Sequence, residues 1–184
     1  MKHLLLLFTL FNSIGIFSQE TESDWKKYQS VDYMLLFNPN SNKDQYFDYN
    51  TNKWVNPTKF ILAGVAAQYE YGIAYKEWIR LGALTGFYAN VGDKSYSIPI
   101  VGSITLAPLI SDETRIYAKF GYGWNTAIGR GNLNSDFHHY HIGIEFGGGS
   151  RLFLFASDHG FRLKGEVYKT LGIGFGGTLF NSKK

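Results

Sequence analysis

The sequence predicts an all-β chain, an antiparallel up-and-down transmembrane β-barrel of eight strands. From about Lys59 onward, apolar and polar residues alternate with a period of two. The composition is rich in glycine (21) and aromatic residues (17%) and poor in proline (4). Connections alternate between short and long, the pattern of barrels with tight periplasmic turns and longer outer loops. Beyond the first 18 residues, no apolar run approaches the roughly 20 residues that a spanning helix needs.

The first strand is read at Val31–Phe37, where Val31, Tyr33, Leu35 and Phe37 alternate with Asp32. Phe60–Tyr75 sets Ile61, Val65, Tyr69 and Ile73 against Gly64, Gln68, Glu70 and Gly72. Trp78–Val91 sets Ile79, Leu81 and Phe87 against Arg80, Gly82 and Gly86, and Tyr96–Leu109 sets Ile98, Ile100 and Ile104 against Ser97, Val101 and Ser103. In Thr114–Thr126, Ile116, Phe120 and Trp124 oppose Arg115, Lys119, Gly121 and Gly123. His138–Phe155 is read as one strand, with Tyr140, Ile142, Ile144 and Leu154 against His139, His141, Glu145 and Arg151. Phe161–Lys169, with Phe161 outward, and Leu171–Phe180 complete the eight. Short turns are expected at Lys76-Glu77, Ile110–Glu113 and Ala156–Gly160, and longer loops at Asn38–Thr58 and Ile128–Phe137, with Gly92–Lys94 and the Lys169-Thr170 region as shorter members of the second set.

The length of 184 residues suits one domain. Residues 1–18 carry a basic start, a short apolar core and a small residue before Gln19, the design of a cleaved secretory signal peptide. Residues 19–30 read as a periplasmic lead-in, 31–180 as the barrel domain and 181–184 as a tail. The absence of cysteine excludes disulfides, thiolate metal sites and a lipid-modified cysteine. A net charge of +3 without a basic run gives no basis for nucleic-acid binding.

Periodicity alone also fits a secreted lipocalin-type barrel with its apolar face inward. Residue size decides against it. The polar face carries Gly64, Gly72, Gly82, Gly86, Gly121, Gly123, Gly143, Gly147, Gly172, Gly174 and Gly176. A solvated exterior has no use for so many missing side chains, whereas the cramped lumen of eight strands does. Arg80, Arg115, Lys119, Arg151, Arg162 and Lys164 share the polar parity, and each would cost about 2–4 kcal/mol against lipid at mid-depth. They are therefore expected inside, as a lumen charge network with Glu70, Glu145 and Glu166. Six bases against three acids predict a positively biased, partly hydrated interior. Leu62, Leu84 and Phe153 break the pattern by pointing inward, and Thr85 and Ser150 by pointing outward.

With Ile98-Pro99-Ile100, Arg115–Tyr122 running into Gly123, His141–Gly149, Gly160–Tyr168 and a glycine-rich last strand, the chain resembles the small outer-membrane β-barrel (porin-like) family of Gram-negative bacteria. The resemblance covers Val31 to Phe180. It implies a place in the bacterial outer membrane, with outer-membrane lipid, lipopolysaccharide and the outer-membrane assembly machinery as partners. It implies no single function. The primary expectation is a structural or surface-binding barrel, with a narrow passive channel and a rim enzyme acting on envelope lipid as alternatives.

For the rim enzyme, His139 and His141 share a face near the outer end of their strand, close to Ser135 and Asp136. The Asn38–Thr58 loop, with Tyr46, Phe47, Tyr49 and Trp54 among Asn and Asp, is a candidate binding surface. No phosphate loop, catalytic triad spacing or cysteine–histidine signature is present, and no cofactor is expected.

Overall fold

The computed structural model describes residues 24–37, 46–55, 62–91, 94–128, 134–163 and 166–181. The predicted signal peptide therefore lies outside the described residues. Eight long strands form the wall: β1 (Trp25–Phe37), β2 (Leu62–Tyr75), β3 (Ile79–Asn90), β4 (Ser95–Leu106), β5 (Thr114–Ile128), β6 (Asn134–Glu145), β7 (Ser150–Leu163) and β8 (Glu166–Asn181). Each pairs antiparallel with its chain neighbours, and β8 pairs back onto β1. Closure leaves the sheet without an edge. A small hairpin, Tyr46–Asp48 with Lys53–Val55, stands in the β1–β2 connection, and Leu109–Ser111 pairs with the start of β5.

The register fixes the shape of the barrel. The pairing runs from Asp136 through Trp124, Ile100, Thr85, Tyr69, Val31, Gly177 and Ser150, and returns to the sixth strand's end at Phe146, ten residues further on. With a rise of about 3.3 Å per residue and about 4.8 Å between strands, that stagger over eight strands tilts them by about 40°. A 14-residue strand so tilted climbs roughly 35 Å, more than the hydrocarbon core of about 30 Å. The strand ends therefore stand clear of the apolar layer.

Strand boundaries in the second half differ from the sequence reading. His138–Phe155 is two strands, reversed through Gly147–Gly149, where Gly148 and Gly149 take φ of 81° and 85°. Inward residues are odd-numbered on both sides of this turn, so the alternation continues in phase and hides the reversal. Ala156–Gly160 is not a turn but part of β7, and Lys169-Thr170 lies within β8, paired with Asp158 and Ser157. These polar residues look like loop because they sit where the strands rise towards the long-loop end. The shift also turns Phe161 inward, where it is buried, contrary to its expected outward placement. The first strand begins at Trp25, inside the stretch read as a lead-in, because β2 and β8 offer partners from Tyr75 and Asn181 onward.

Among the tight turns, Lys76 and Glu77 hold φ of 48° and 65°. Such left-handed pairs match the twist of a two-residue hairpin. Glu77 is then held by Lys26 at 2.7 Å and Arg115 at 3.1 Å.

Candidate functional site

Most of the chain's buried polar chemistry converges inside the barrel. Alternation turns Asp32 (β1), Glu70 (β2), Arg80 (β3), Lys119 (β5), Glu145 (β6) and Arg151 (β7) inward, none more than 3% exposed. The stagger brings residues from distant strands to one level. Arg80 grips Glu145 through two bonds of 2.7 and 2.6 Å. Lys119 Nζ lies 2.5 Å from Glu70 and 3.4 Å from Asp32. Arg151 donates to Asp32 at 2.8 Å through Nε and to Thr178 at 3.0 Å.

Burying such pairs is costly unless the remaining lone pairs are also satisfied. Glu70 accepts further bonds from Tyr28 (2.7 Å), Ser103 (2.5 Å) and Ser30 (3.3 Å), and Glu145 accepts one from Thr178 (3.2 Å). The Arg80 guanidinium also lies 5.0 Å from the Phe180 ring centroid. Three buried bases thus meet three buried acids. Two glycines make the room: a Cβ at Gly176 would overlap Asp32, and one at Gly82 would overlap Tyr28 and Glu70.

Towards the long-loop end, the network gives way to rings. His139 and His141 stack edge to face with centroids 4.0 Å apart, and His141 lies parallel to Phe153 at 4.3 Å. His139 Nδ1 is 3.1 Å from Ser157 and 3.4 Å from Tyr88. His159, also buried, bridges Asn125 at 3.1 Å and Thr170 at 3.2 Å. Tyr88, Phe137, Phe155 and Phe161 fill the space between them.

The outer surface is the reverse. Ile100 is 65% exposed, and Leu35, Val65, Ile142, Leu152, Leu154 and Phe175 are exposed around the wall. This exterior belongs in lipid, and it overturns the lipocalin alternative, which would bury these side chains. Leu62, expected inward, is exposed instead, because the register shift opposite Leu36 and Phe37 turns it out. Thr85, outward as expected, hides its hydroxyl by donating to Pro99 O at 2.9 Å.

No family model and no curated protein matches the chain. A solved structure does: Neisserial surface protein A is similar at 11% identity and a TM-score of 0.57, over 87% of this chain and 99% of that one. The chain has the fold of the small outer-membrane β-barrels. Looser alignments join this barrel to a de novo designed transmembrane β-barrel (10% identity, TM-score 0.44, 88% of this chain and all of that one). Another joins it to Ail, the attachment invasion locus protein of Yersinia pestis (10% identity, TM-score 0.39, 85% and 99%).

In this barrel, Glu70, Arg80, Lys119, Glu145 and Arg151 meet in the lumen. Arg115 stands apart, half-buried at the tight-turn end beside Glu77 and Ala107 O. The side chains of Arg162 and Glu166, and the whole of Lys164, lie outside the described residues. Glu145 pairs with Arg80 rather than with its register neighbour Arg151. Among the described lumen residues three bases face three acids, because Asp32 adds an acid and Arg115 stands apart; Arg162, Lys164 and Glu166, which the expected bias also counted, are not among them. Asp32 lies in phase on the predicted first strand, and only carrying that alternation back into the expected lead-in would reach Tyr28 and Ser30; His159 is hidden by the expected turn at Ala156–Gly160. His139 and His141 sit in the closed interior, 0% and 3% exposed, and not on the rim. Among the described residues, no set of three metal-ligating side chains forms around them.

Proposed function

We propose that this barrel has a structural or surface-binding role in the outer membrane, with a plugged lumen and its working surface on the long loops. The observation that carries the reading is the set of ion pairs spanning the lumen: Arg80–Glu145, Lys119–Glu70 and Arg151–Asp32, with side chains only 1–4% exposed. Opposed charges that cancel and pair with one another offer a solute little fixed field. The imidazole and aromatic layer fills the lumen beyond them. On this reading its partners are outer-membrane lipid and lipopolysaccharide around the belt, and the machinery that assembles barrels into the membrane.

Planar-bilayer recording tests the plug. The wild-type barrel is expected to show no steady conductance. A steady conductance whose ion preference changes with Lys119→Glu would establish a narrow channel and remove this reading.

A further inference from the structure

The β1–β2 connection carries a self-organised aromatic tip. In the hairpin, Phe47 is the register partner of Trp54, so their side chains share a face, while Asp48 opposite Lys53 takes the other. Phe47 is flanked edge-on by Tyr49, at 5.2 Å and 80°, and by Trp54, at 5.5 Å and 70°. Tyr49 is 88% exposed and Trp54 66%. Their exposure leaves ring surface of each open to a ligand.

The tip is held by its own side chains. Asp48 accepts the Asn50 N–H at 2.9 Å and the Thr51 hydroxyl at 2.8 Å, and Asn52 takes a left-handed φ of 53°. The Thr51 and Asn50 bonds hold the Asp48 carboxyl below the usual carboxylate range. A surface fixed before binding loses less entropy on capture of a ligand.

Charge and composition select the occupant. Asp48 and Lys53 cancel on the far face, and among the described residues of the hairpin no ionised group lies on the aromatic face, so an anionic ligand finds no counter-charge there and a cationic one finds only ring faces. The tip residues Asn50, Thr51 and Asn52 are polar and exposed, which opposes insertion into a bilayer. Neutral amides and a hydroxyl bordering open ring faces favour a neutral ligand with an apolar face and a hydroxyl rim.

We propose that the Phe47–Tyr49–Trp54 face is a carbohydrate platform that stacks an uncharged pyranose ring, with the amides and hydroxyl of the tip at its edge. The proposal deepens the surface-binding role and rests on it only in placing the long loops outside the cell.

The test uses the full chain in a sugar-free detergent. Fluorescein-labelled maltohexaose, cellohexaose, chitohexaose and mannohexaose are titrated by polarisation, alongside polysaccharide released from the bacterium's own envelope. At least one should bind, and this set separates a self glycan from a foreign one. Trp54→Ala should weaken binding about tenfold, the worth of a strong aromatic contact. Asp48→Ala, which frees the tip, should weaken it severalfold. Heat-modifiable gel migration confirms that each variant still folds as a barrel. The proposal is overturned if no sugar binds the wild type, if Trp54→Ala and Tyr49→Ala bind as the wild type does, or if Trp54 instead drives attachment to phosphatidylcholine vesicles. Failure here leaves the bilayer-recording result, and the plugged barrel, untouched.

Discussion

Replacing Lys119 with Met measures how dry the lumen is. In the wild type, Lys119 Nζ sits 2.5 Å from Glu70 and 3.4 Å from Asp32. After the substitution Asp32 keeps Arg151, but Glu70 retains only the neutral donors Tyr28, Ser103 and Ser30. Stranding one member of a buried pair costs about 3–5 kcal/mol. In a water-filled channel, two charges 4 Å apart attract by only about 1 kcal/mol, so their loss would hardly register. Adding Glu70→Gln to Lys119→Met removes the stranded charge and should recover most of the loss. The double-mutant cycle should then give a coupling of at least about 2 kcal/mol. Urea unfolding in lipid vesicles, followed by tryptophan emission, supplies the four stabilities. A single-variant loss below about 1 kcal/mol, with additive effects in the double, would refute the closed network.

Cysteines at Ile100, Phe120 and Ile144, all exposed on the wall, should react with lipid-soluble maleimides, while those at Ser103, Lys119 and Glu145 should not; reversed labelling would invert the facing. Gly176→Val places a branched side chain against Asp32 and the Val31 carbonyl, and overpacking of this kind costs about 1–3 kcal/mol. A wild-type unfolding midpoint for Gly176→Val would show that the Asp32 contact is not tight.

The inward set was legible because a strand has a period of two and lipid penalises charge. Glu70, Arg80, Lys119, Glu145 and Arg151 each fall on the glycine-bearing parity. Their partners were not legible. Arg151 and Glu145 are neighbours in register, yet Arg151 reaches Asp32 on β1 and Glu145 reaches Arg80 on β3. Choosing among acceptors depends on the stagger, which no local pattern records. The histidines fail for a related reason: a strand near its outer end looks the same in sequence whether its side chain meets solvent or a neighbouring ring. His141 meets Phe153, from the next strand.

The sequence by itself determined that the chain is a barrel, which parity faces lipid, and that small residues must line the interior. These follow from side-chain alternation and from the cost of charge in hydrocarbon, both local properties. It did not determine where β6 ends and β7 begins, because the alternation stays in phase across Gly147–Gly149. Nor did it determine that the lumen charges balance among the described residues. Only closure of β8 onto β1, with its ten-residue stagger, decides which charges share a level, since that offset accumulates over all eight strands and belongs to none of them.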